Sequence, residues 1–197
     1  MISFLALLST LFLLAITLYL LPAFHAREMP PSFTKNIRKL AIIYAHMDDE
    51  VSNSGIIKQL SSIAQDSKII ILTDGSANEK TQREFCPQMT DFACRTQELQ
   101  HSAKILGINK VETAGLPDST LKNHIAQGVQ FVSQSLREFE PDLVLTMEPS
   151  GLNFHPDHMA AHQITMQAIS KLGAPYPQIL FSTLPLPLNW AFDSCFG

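Results

Sequence analysis

Short apolar runs alternate along this chain with longer segments in which apolar residues recur every three to four positions. The runs are typical of buried strands, and the longer spacing is typical of helices that cover a sheet. The predicted strands are Leu40–Tyr44, Lys68–Thr73, Val111–Leu116, Asp142–Met147 and Ile179–Thr183. The predicted helices are Ser52–Ala64, Arg95–Leu106, Leu121–Phe139 and Pro156–Leu172. This alternation favours a Rossmann-like, three-layer α/β fold, in which a parallel sheet has helices on both faces.

The first 26 residues differ in composition from the rest of the chain, because Ile2–Phe24 is apolar except for a few serines and threonines. At about 1.5 Å per residue, such a helix can cross a hydrocarbon core of about 30 Å. No lysine or arginine precedes the run, and those that follow it closely are Arg27, Lys35, Arg38 and Lys39. The positive-inside rule then predicts a single-pass membrane anchor with a cytoplasmic catalytic domain. The alternative is export after signal cleavage, since Ala23 and Ala26 are small residues near a suitable cleavage point.

Residues 27–39 are predicted to be a linker, and residues 40–197 a single domain, the natural size for a chain of 197 residues. The net charge is -4 and no basic run occurs, so nothing points to a nucleic-acid partner. The three cysteines form no CxxC metal pair. Their odd number argues against a disulfide framework, although Cys86 and Cys94 can pair if the domain is exported.

Two clusters of ionisable residues follow predicted strands. His46–Glu50 comes after the first strand, and Glu148–His158 comes after the fourth. Each cluster alone also fits an ordinary helix start, with Asp48 or Asp49 as the N-cap and Pro156 at the first helical position. Because ligands of parallel sheets bind beyond the carboxyl ends of the strands, two such clusters at one edge favour a functional site. Histidine and carboxylate ligands suit Zn²⁺ better than Mg²⁺.

Two motifs in these clusters resemble those of a known family. Ala45–Glu50 (AHMDDE) is similar to the AHPDDE motif of the PIG-L/LmbE-like deacetylases, and His155–His158 (HPDH) is similar to their second motif. The stretch Leu72–Ser76 (LTDGS) resembles their middle region, so the resemblance runs from about residue 40 to 172. The departure is Met47, where the family usually has proline. Proline stiffens a turn by fixing φ, so we expect a less rigid loop with an intact site.

The resemblance implies an enzyme that removes acetyl from an N-acetylglucosamine conjugate. It implies that His46, Asp49 and His158 bind Zn²⁺ and that Asp48 is the general base. By the same resemblance, a positively charged His155 stabilises the oxyanion or donates a proton, and Arg95 contacts the polar part of the substrate. A membrane anchor would favour a lipid-linked conjugate.

Four other polar residues receive lesser roles. Glu50 is expected to anchor the loop or to orient a ligand histidine, and Asp157 to be a first-turn helix charge. His162, one turn after His158, is not expected to be a ligand, and Asp118 is expected at the surface. Two alternatives to a deacetylase stay open, a metal-dependent phosphoesterase and a non-catalytic, membrane-anchored sugar-binding protein.

Overall fold

A computed structural model describes residues 9–17, 37–78 and 88–183 of the chain. The chain divides into two compact units. One unit comprises Met1–Lys35 and Thr183–Gly197, and the other is Asn36–Ser182, which contains the whole sheet.

The sheet has five strands, all parallel, in the spatial order β3-β2-β1-β4-β5. The strands are β1 (Lys39–Tyr44), β2 (Asp66–Thr73), β3 (Lys110–Leu116), β4 (Leu143–Met147) and β5 (Gln178–Ser182). The predicted parallel α/β fold is confirmed, and each predicted strand is present to within two residues at either end. The order places β1 and β4, which are far apart in sequence, side by side at the centre.

Within the described residues, six α-helical segments lie between the strands. They are α1 (Asp49–Ser52), α2 (Ser54–Ile63), α3 (Asp91–Leu106), α4 (Ile125–Phe139), α5 (Gly151–Phe154) and α6 (Pro156–Ser170). Helices α2, α3, α4 and α6 correspond to the four predicted helices. The segment predicted to begin at Leu121 differs at its start, because a short 3₁₀ turn, Leu121–Asn123, precedes α4. The predicted end of α3 at Gly107 is confirmed, since that glycine closes the helix with a left-handed backbone (φ 80°).

Side chains of the central strands point alternately to the two faces of the sheet, and both faces are buried. Ala41 and Ile43 of β1 lie in one buried cluster with residues of α4 and α6, so these helices cover one face of the sheet. The intervening residues, Leu40 and Ile42, are equally buried on the other face. A strand buried on both faces favours apolar residues at consecutive positions, which explains the runs Leu40–Tyr44 in β1 and Ile69–Leu72 in β2.

In the first unit, residues 9–17 are helical. The rest of the predicted anchor, residues 1–8 and 18–26, lies outside the described residues. Within the described ranges, no helix combines the length and the apolar character that a membrane crossing requires. The predicted single-pass membrane protein with a cytoplasmic catalytic domain is therefore wrong.

Cys94, in the first part of α3, is buried and disulfide-bonded. Cys86, its partner in the sequence-based expectation, lies outside the described residues.

Candidate metal centre

The two ionisable clusters meet at the carboxyl edge of the sheet. Strand β1 ends at Tyr44 and leads into His46–Glu50, while β4 ends at Met147 and leads through α5 into α6. Because β1 and β4 are neighbours, the loop after each strand reaches the same point above the sheet. Parallel pairing thus brings together residues about a hundred positions apart in sequence.

Three side chains converge at this point with a spacing that suits a metal ion. His46 Nδ1 lies 3.2 Å from His158 Nε2, and Asp49 Oδ1 lies 3.1 Å from the same nitrogen. The third pair, His46 Nδ1 and Asp49 Oδ2, is 3.7 Å apart. Ligand bonds of 2.0–2.1 Å in a tetrahedron separate the ligand atoms by about 3.3 Å. Two nitrogens and one carboxylate oxygen are also a donor set that zinc accepts, so these residues fit a catalytic metal.

The tautomer of His158 suits a ligand. Its Nδ1 donates to the carbonyl oxygen of Gly151 at 2.9 Å, so when the ring is neutral the lone pair is on Nε2, the atom that faces Asp49 and His46 and is available to a metal ion. Gly151 permits this contact, since its φ is 68° and an added Cβ would lie 2.7 Å from the Cβ of His158. A carbonyl that orients a ligand histidine is a usual outer partner of a metal site.

His46 is held on its other side by two carboxylates that the sequence did not assign to the site. Its Nε2 lies 3.3 Å from Asp118 Oδ1 and 3.4 Å from Asp157 Oδ2. Hydrogen bonding to either carboxylate places the proton on Nε2 and leaves Nδ1 free to bind a cation. Asp157 is fully buried and its Oδ1 accepts from the backbone nitrogen of Leu121. It lies in the first turn of α6 as predicted, but it faces His46.

The expectation that Asp118 is a surface residue is wrong, because its side chain is only 7% exposed. Strand β3 is next to β2, and the loop after β3 folds back over the site. Asp118 Oδ2 accepts from the backbone nitrogen of Ala77, 3.3 Å away in the loop after β2. The sequence signal was the position of Asp118 shortly after the predicted strand Val111–Leu116, because the loops after parallel strands share one edge of the sheet.

The charges of the cluster are mutually dependent. Burial disfavours the charged form of His46, but its hydrogen bond to Asp49 and the charges of Asp49 and Asp118 outweigh burial and raise its pKa to about 9. Burial likewise opposes ionisation of Asp49, but hydrogen bonds from His158 and His46 hold the pKa of Asp49 well below its usual range. Without a metal ion, a proton on His46 thus compensates the buried carboxylate of Asp49.

His155 lies beside two other histidines, with ring centroids 4.7 Å from His158 and 5.0 Å from His46. It is the N-cap of α6, and its Nδ1 accepts from the backbone nitrogen of Asp157 at 3.3 Å. A nitrogen that accepts in this way carries no proton, so the proton resides on Nε2. Burial and the neighbouring charges of His158 and His46 also lower the pKa of His155. The expected positive charge is therefore not supported, because the cap holds His155 as a neutral Nε2–H donor.

The two neighbouring aspartates point in different directions. Asp49 faces the histidines, whereas Asp48 Oδ2 accepts from Arg95 Nη2 at 2.9 Å. Arg95 Nη1 donates to Glu98 at 2.9 Å. Burial opposes the charge on Arg95, but Glu98 and Asp48 outweigh it and raise the pKa of the guanidinium. Asp48 and Arg95 thus form one wall of a cleft and are not part of the cluster of His46, Asp49 and His158.

The cleft has a volume of about 270 Å³ and opens over the histidines. Polar and charged side chains dominate its lining, which consists of His46, Asp48, Gly75, Ala77, Arg95, Asp118, Ser119 and His155. A cleft of this composition suits a ligand with many hydroxyl groups better than an apolar one.

Three remaining residues take structural positions. Met47, the departure from the family pattern, is 2% exposed, so packing anchors the turn that proline would have stiffened. Glu50 is buried against Ser102 of α3, where burial raises its pKa, and it does not orient a histidine. His162 Nδ1 donates to the carbonyl of Met147 at 2.9 Å.

Several known proteins are similar to this chain in sequence or structure. The deacetylase of 1D-myo-inositol 2-acetamido-2-deoxy-alpha-D-glucopyranoside from Corynebacterium kroppenstedtii is 29% identical over 156 residues, which cover 66% of this chain and 40% of that protein. The structure of N,N'-diacetylchitobiose deacetylase from Pyrococcus horikoshii is similar with a TM-score of 0.58 and 25% identity, over 69% of this chain and 51% of that one. This chain spans about half the length of these relatives.

The same fold also occurs in a hydratase. The 4-carboxy-2-hydroxymuconate hydratase of Pseudomonas putida is similar with a TM-score of 0.53 and 20% identity, over 76% of this chain and 63% of that one. That likeness shows the fold alone, so the reaction has to be argued from the site.

A family model described as PIG-L, GlcNAc-PI de-N-acetylase, matches residues 41–169. The matched region is more than half of the chain, and it contains both ionisable clusters and the cleft. The chain therefore belongs to the PIG-L (LmbE-like) de-N-acetylase family.

Proposed function

We propose that this protein is a zinc-dependent hydrolase that removes acetyl from an N-acetylglucosamine conjugate. The convergence of His46, Asp49 and His158 within 3.1–3.7 Å of one another carries the proposal. Asp48 and His155 lie on the open side of this cluster and line the cleft. Relatives whose names describe deacetylation of amino sugars support the choice of reaction.

Zinc is the proposed metal because two imidazoles and one carboxylate match its preferred donors, whereas Mg²⁺ prefers oxygen ligands and water. When bound, zinc supplies a Lewis acid that lowers the pKa of a coordinated water to about 7 and polarises the acetyl carbonyl. The residues of the chain then have to orient the amide and to move protons.

Asp48 is the proposed general base. One carboxylate oxygen, Oδ2, is bound by Arg95, which leaves Oδ1 to accept the proton of the attacking water. The side chain of Asp48 is 56% exposed, so water and substrate can reach it. Asp48 then returns the proton to the amine nitrogen as the carbon–nitrogen bond breaks, which is the usual double role of a general base in amide hydrolysis.

His155 is the proposed oxyanion donor. Its Nδ1 is occupied by the backbone nitrogen of Asp157, so Nε2–H is the group that can donate to the oxygen of the former carbonyl. A neutral donor of this kind does not need to gain or lose a proton during the reaction. Loss of one well-placed oxyanion donor typically lowers kcat by about 10² to 10³-fold.

The proposed substrate is an amino-sugar conjugate whose hydroxyl groups fill the polar cleft. Carboxylates such as Asp118 accept hydrogen bonds from hydroxyls, and the guanidinium of Arg95 lies on the same wall. The named substrates of the relatives are an inositol glycoside and a chitobiose, both of which carry an acetylated amino sugar. A lipid-linked conjugate is not proposed, because that idea depended on the membrane anchor.

The decisive experiment measures acetate release by the metal-free protein reloaded with zinc. N,N'-Diacetylchitobiose and the N-acetylglucosaminyl inositol are the substrates, and a chelator-treated sample is the control. We expect acetate release that depends on metal and reaches its maximum at one zinc per chain. A phosphate ester assayed in parallel, with metal counted by elemental analysis, tests the phosphoesterase alternative. Binding of the sugars without acetate release would favour the sugar-binding alternative.

A further inference from the structure

Arg95 is the most enclosed member of a three-residue ionic group on the cleft wall. Its side chain is 16% exposed, whereas those of Asp48 and Glu98 are 56% and 48% exposed. Each carboxylate accepts from a different nitrogen of the guanidinium at 2.9 Å. Glu98 is on the same helix as Arg95, three residues further on, so it fixes the guanidinium relative to α3. Arg95 therefore links a rigid helix to the loop that carries Asp48.

We infer that Arg95 is a positioning residue that acts through Asp48, by holding one carboxylate oxygen so that the other is aimed at the reacting water. This inference rests on the proposed function, in which Asp48 is the base. It differs from the expectation that Arg95 serves mainly to bind substrate.

Asp48 has little else to hold it. It occupies the N-cap position of α1 but makes no side-chain capping hydrogen bond. Within the described residues, Arg95 supplies the one recorded hydrogen bond to its carboxylate. An exposed aspartate without this contact would sample several rotamers, and misplacement of a catalytic group by about 1 Å can cost on the order of 10²-fold in rate. The geometry of the base therefore depends on the position of the guanidinium.

The backbone after β2 supports Arg95 from behind. Gly75 is buried with a φ of 70°, and a Cβ there would lie 3.4 Å from Cγ and 3.8 Å from Nε of Arg95. The side chain of Arg95 thus lies directly against the bare backbone of this turn. Asp74 Oδ1 fixes the turn, because it accepts from the backbone nitrogens of Ser76 at 3.0 Å and Asp118 at 3.2 Å.

The buried edge of the guanidinium agrees with a positioning role. Nε of Arg95 is inaccessible and has no hydrogen-bond partner in the described part of the chain. An unsatisfied buried donor is unfavourable, so the remaining contacts must impose this placement. The two ion pairs that fix the guanidinium leave its Nε facing the protein and not the cleft.

A double-mutant cycle separates the two roles of Arg95. We expect Arg95→Ala to lower kcat by about 10- to 100-fold with a change in KM of less than about threefold, since a misplaced base slows chemistry more than binding. In an Asp48→Asn background, Arg95→Ala should change kcat by less than about twofold, because the group on which it acts is already absent. Arg95→Lys should recover part of the loss, and added guanidinium should partly rescue Arg95→Ala but not Asp48→Asn.

Arg137→Ala is the matched control. Arg137 also bridges two elements, through Nη2 to the carbonyl of Lys171 at 3.2 Å, but it lies beyond the far end of α6, a helix about 22 Å long. It should leave kcat and KM unchanged. Zinc content and thermal midpoint, measured for every variant, exclude loss of metal or of folding as the cause.

A rise in KM at constant kcat, or an equal loss of kcat in both backgrounds, would overturn the inference in favour of substrate binding. Absence of acetate release from the wild-type protein at any metal loading would instead overturn the proposed function. In that case a stability cycle on the same four proteins decides whether Arg95 holds Asp48. Coupled effects on the thermal midpoint support the contact, and strictly additive effects refute it.

Discussion

The two edges of the sheet arrange their charged residues in opposite ways. At the amino edge each cation has its own carboxylate, in the pairs Arg38–Asp142, Lys39–Glu140, Lys68–Glu112 and Lys110–Asp66. At the carboxyl edge, histidines and aspartates crowd within 3.1–3.7 Å without a one-to-one match. At the amino edge the positive and negative charges cancel in pairs. At the carboxyl edge the negative charges are compensated only when a proton or a metal cation is added. Crowding of this kind is a better indicator of a site than the number of charges.

The largest effect is expected when one of the proposed metal ligands at the carboxyl edge is removed. We expect His158→Ala to lose zinc and activity together, because a two-ligand site no longer holds the metal. The same result is expected for His46→Ala. Elemental analysis of both purified proteins, alongside acetate release, is the measurement. Stoichiometric zinc in both variants would show that the ligand assignment is wrong.

Asp48→Asn should separate chemistry from metal binding. Since the carboxylate of Asp48 faces Arg95 and not the ligand cluster, the variant should keep one zinc per chain. Its rate should fall by about 10² to 10⁴-fold, the usual contribution of general acid–base catalysis. A metal-free variant, or one with full activity, would mean that Asp48 has a different role.

The pH dependence of the metal-free protein should sharpen the comparison. The folded-state pKa of His46, about 9, is above its ordinary value of 6.5, so its stabilising contribution is present below pH 6.5 and is lost as the pH rises through about 9. The thermal midpoint of the metal-free protein should therefore fall as the pH rises through that window. Zinc should reverse the trend, because it must displace the proton and binds better as the pH rises. If the stability of a His46→Gln protein shows the same dependence on pH, the titrating group is a residue other than His46.

The smallest effect is expected at the amino edge. Lys110 and Asp66 form a close pair at 2.6 Å, but their side chains are 54% and 31% exposed. Lys110→Ala should cost no more than about 1 kcal/mol of stability, as is usual for pairs near the surface. Zinc content and kcat should not change. A loss of activity in this variant would mean that the two edges are coupled through the sheet.

Much of this architecture was predictable because the sequence patterns are local. Apolar runs and helical spacing locate the strands and helices, and the end of α3 at Gly107 follows from the left-handed conformation that glycine tolerates. The two motifs also predicted that the ionisable clusters meet at the carboxyl edge of the sheet. These features depend on residues that are close together in the chain.

The rest depends on contacts that no local pattern contains. Asp118 was expected at the surface, yet the return of the β3 loop brings its carboxylate to His46. The charge state of His155 depends on a helix cap that accepts through Nδ1, which the motif letters do not specify. The predicted membrane span was inferred from hydropathy alone, and no helix within the described ranges meets the requirements for a crossing.

Helix α6 begins at the candidate metal centre, with His155 as its cap and 15 residues behind it. The aligned peptide dipoles of such a helix place about half a positive charge at its first turn. This field favours the negative charge that develops during hydrolysis, but it acts equally on the carboxylate that remains afterwards. A helix terminus contributes only about 0.3–1 kcal/mol to the binding of an anion, so we expect acetate to compete weakly with substrate, and added acetate in the rate assay measures this competition. In the proposed reaction, the same helix terminus would then favour both the transition state and the product.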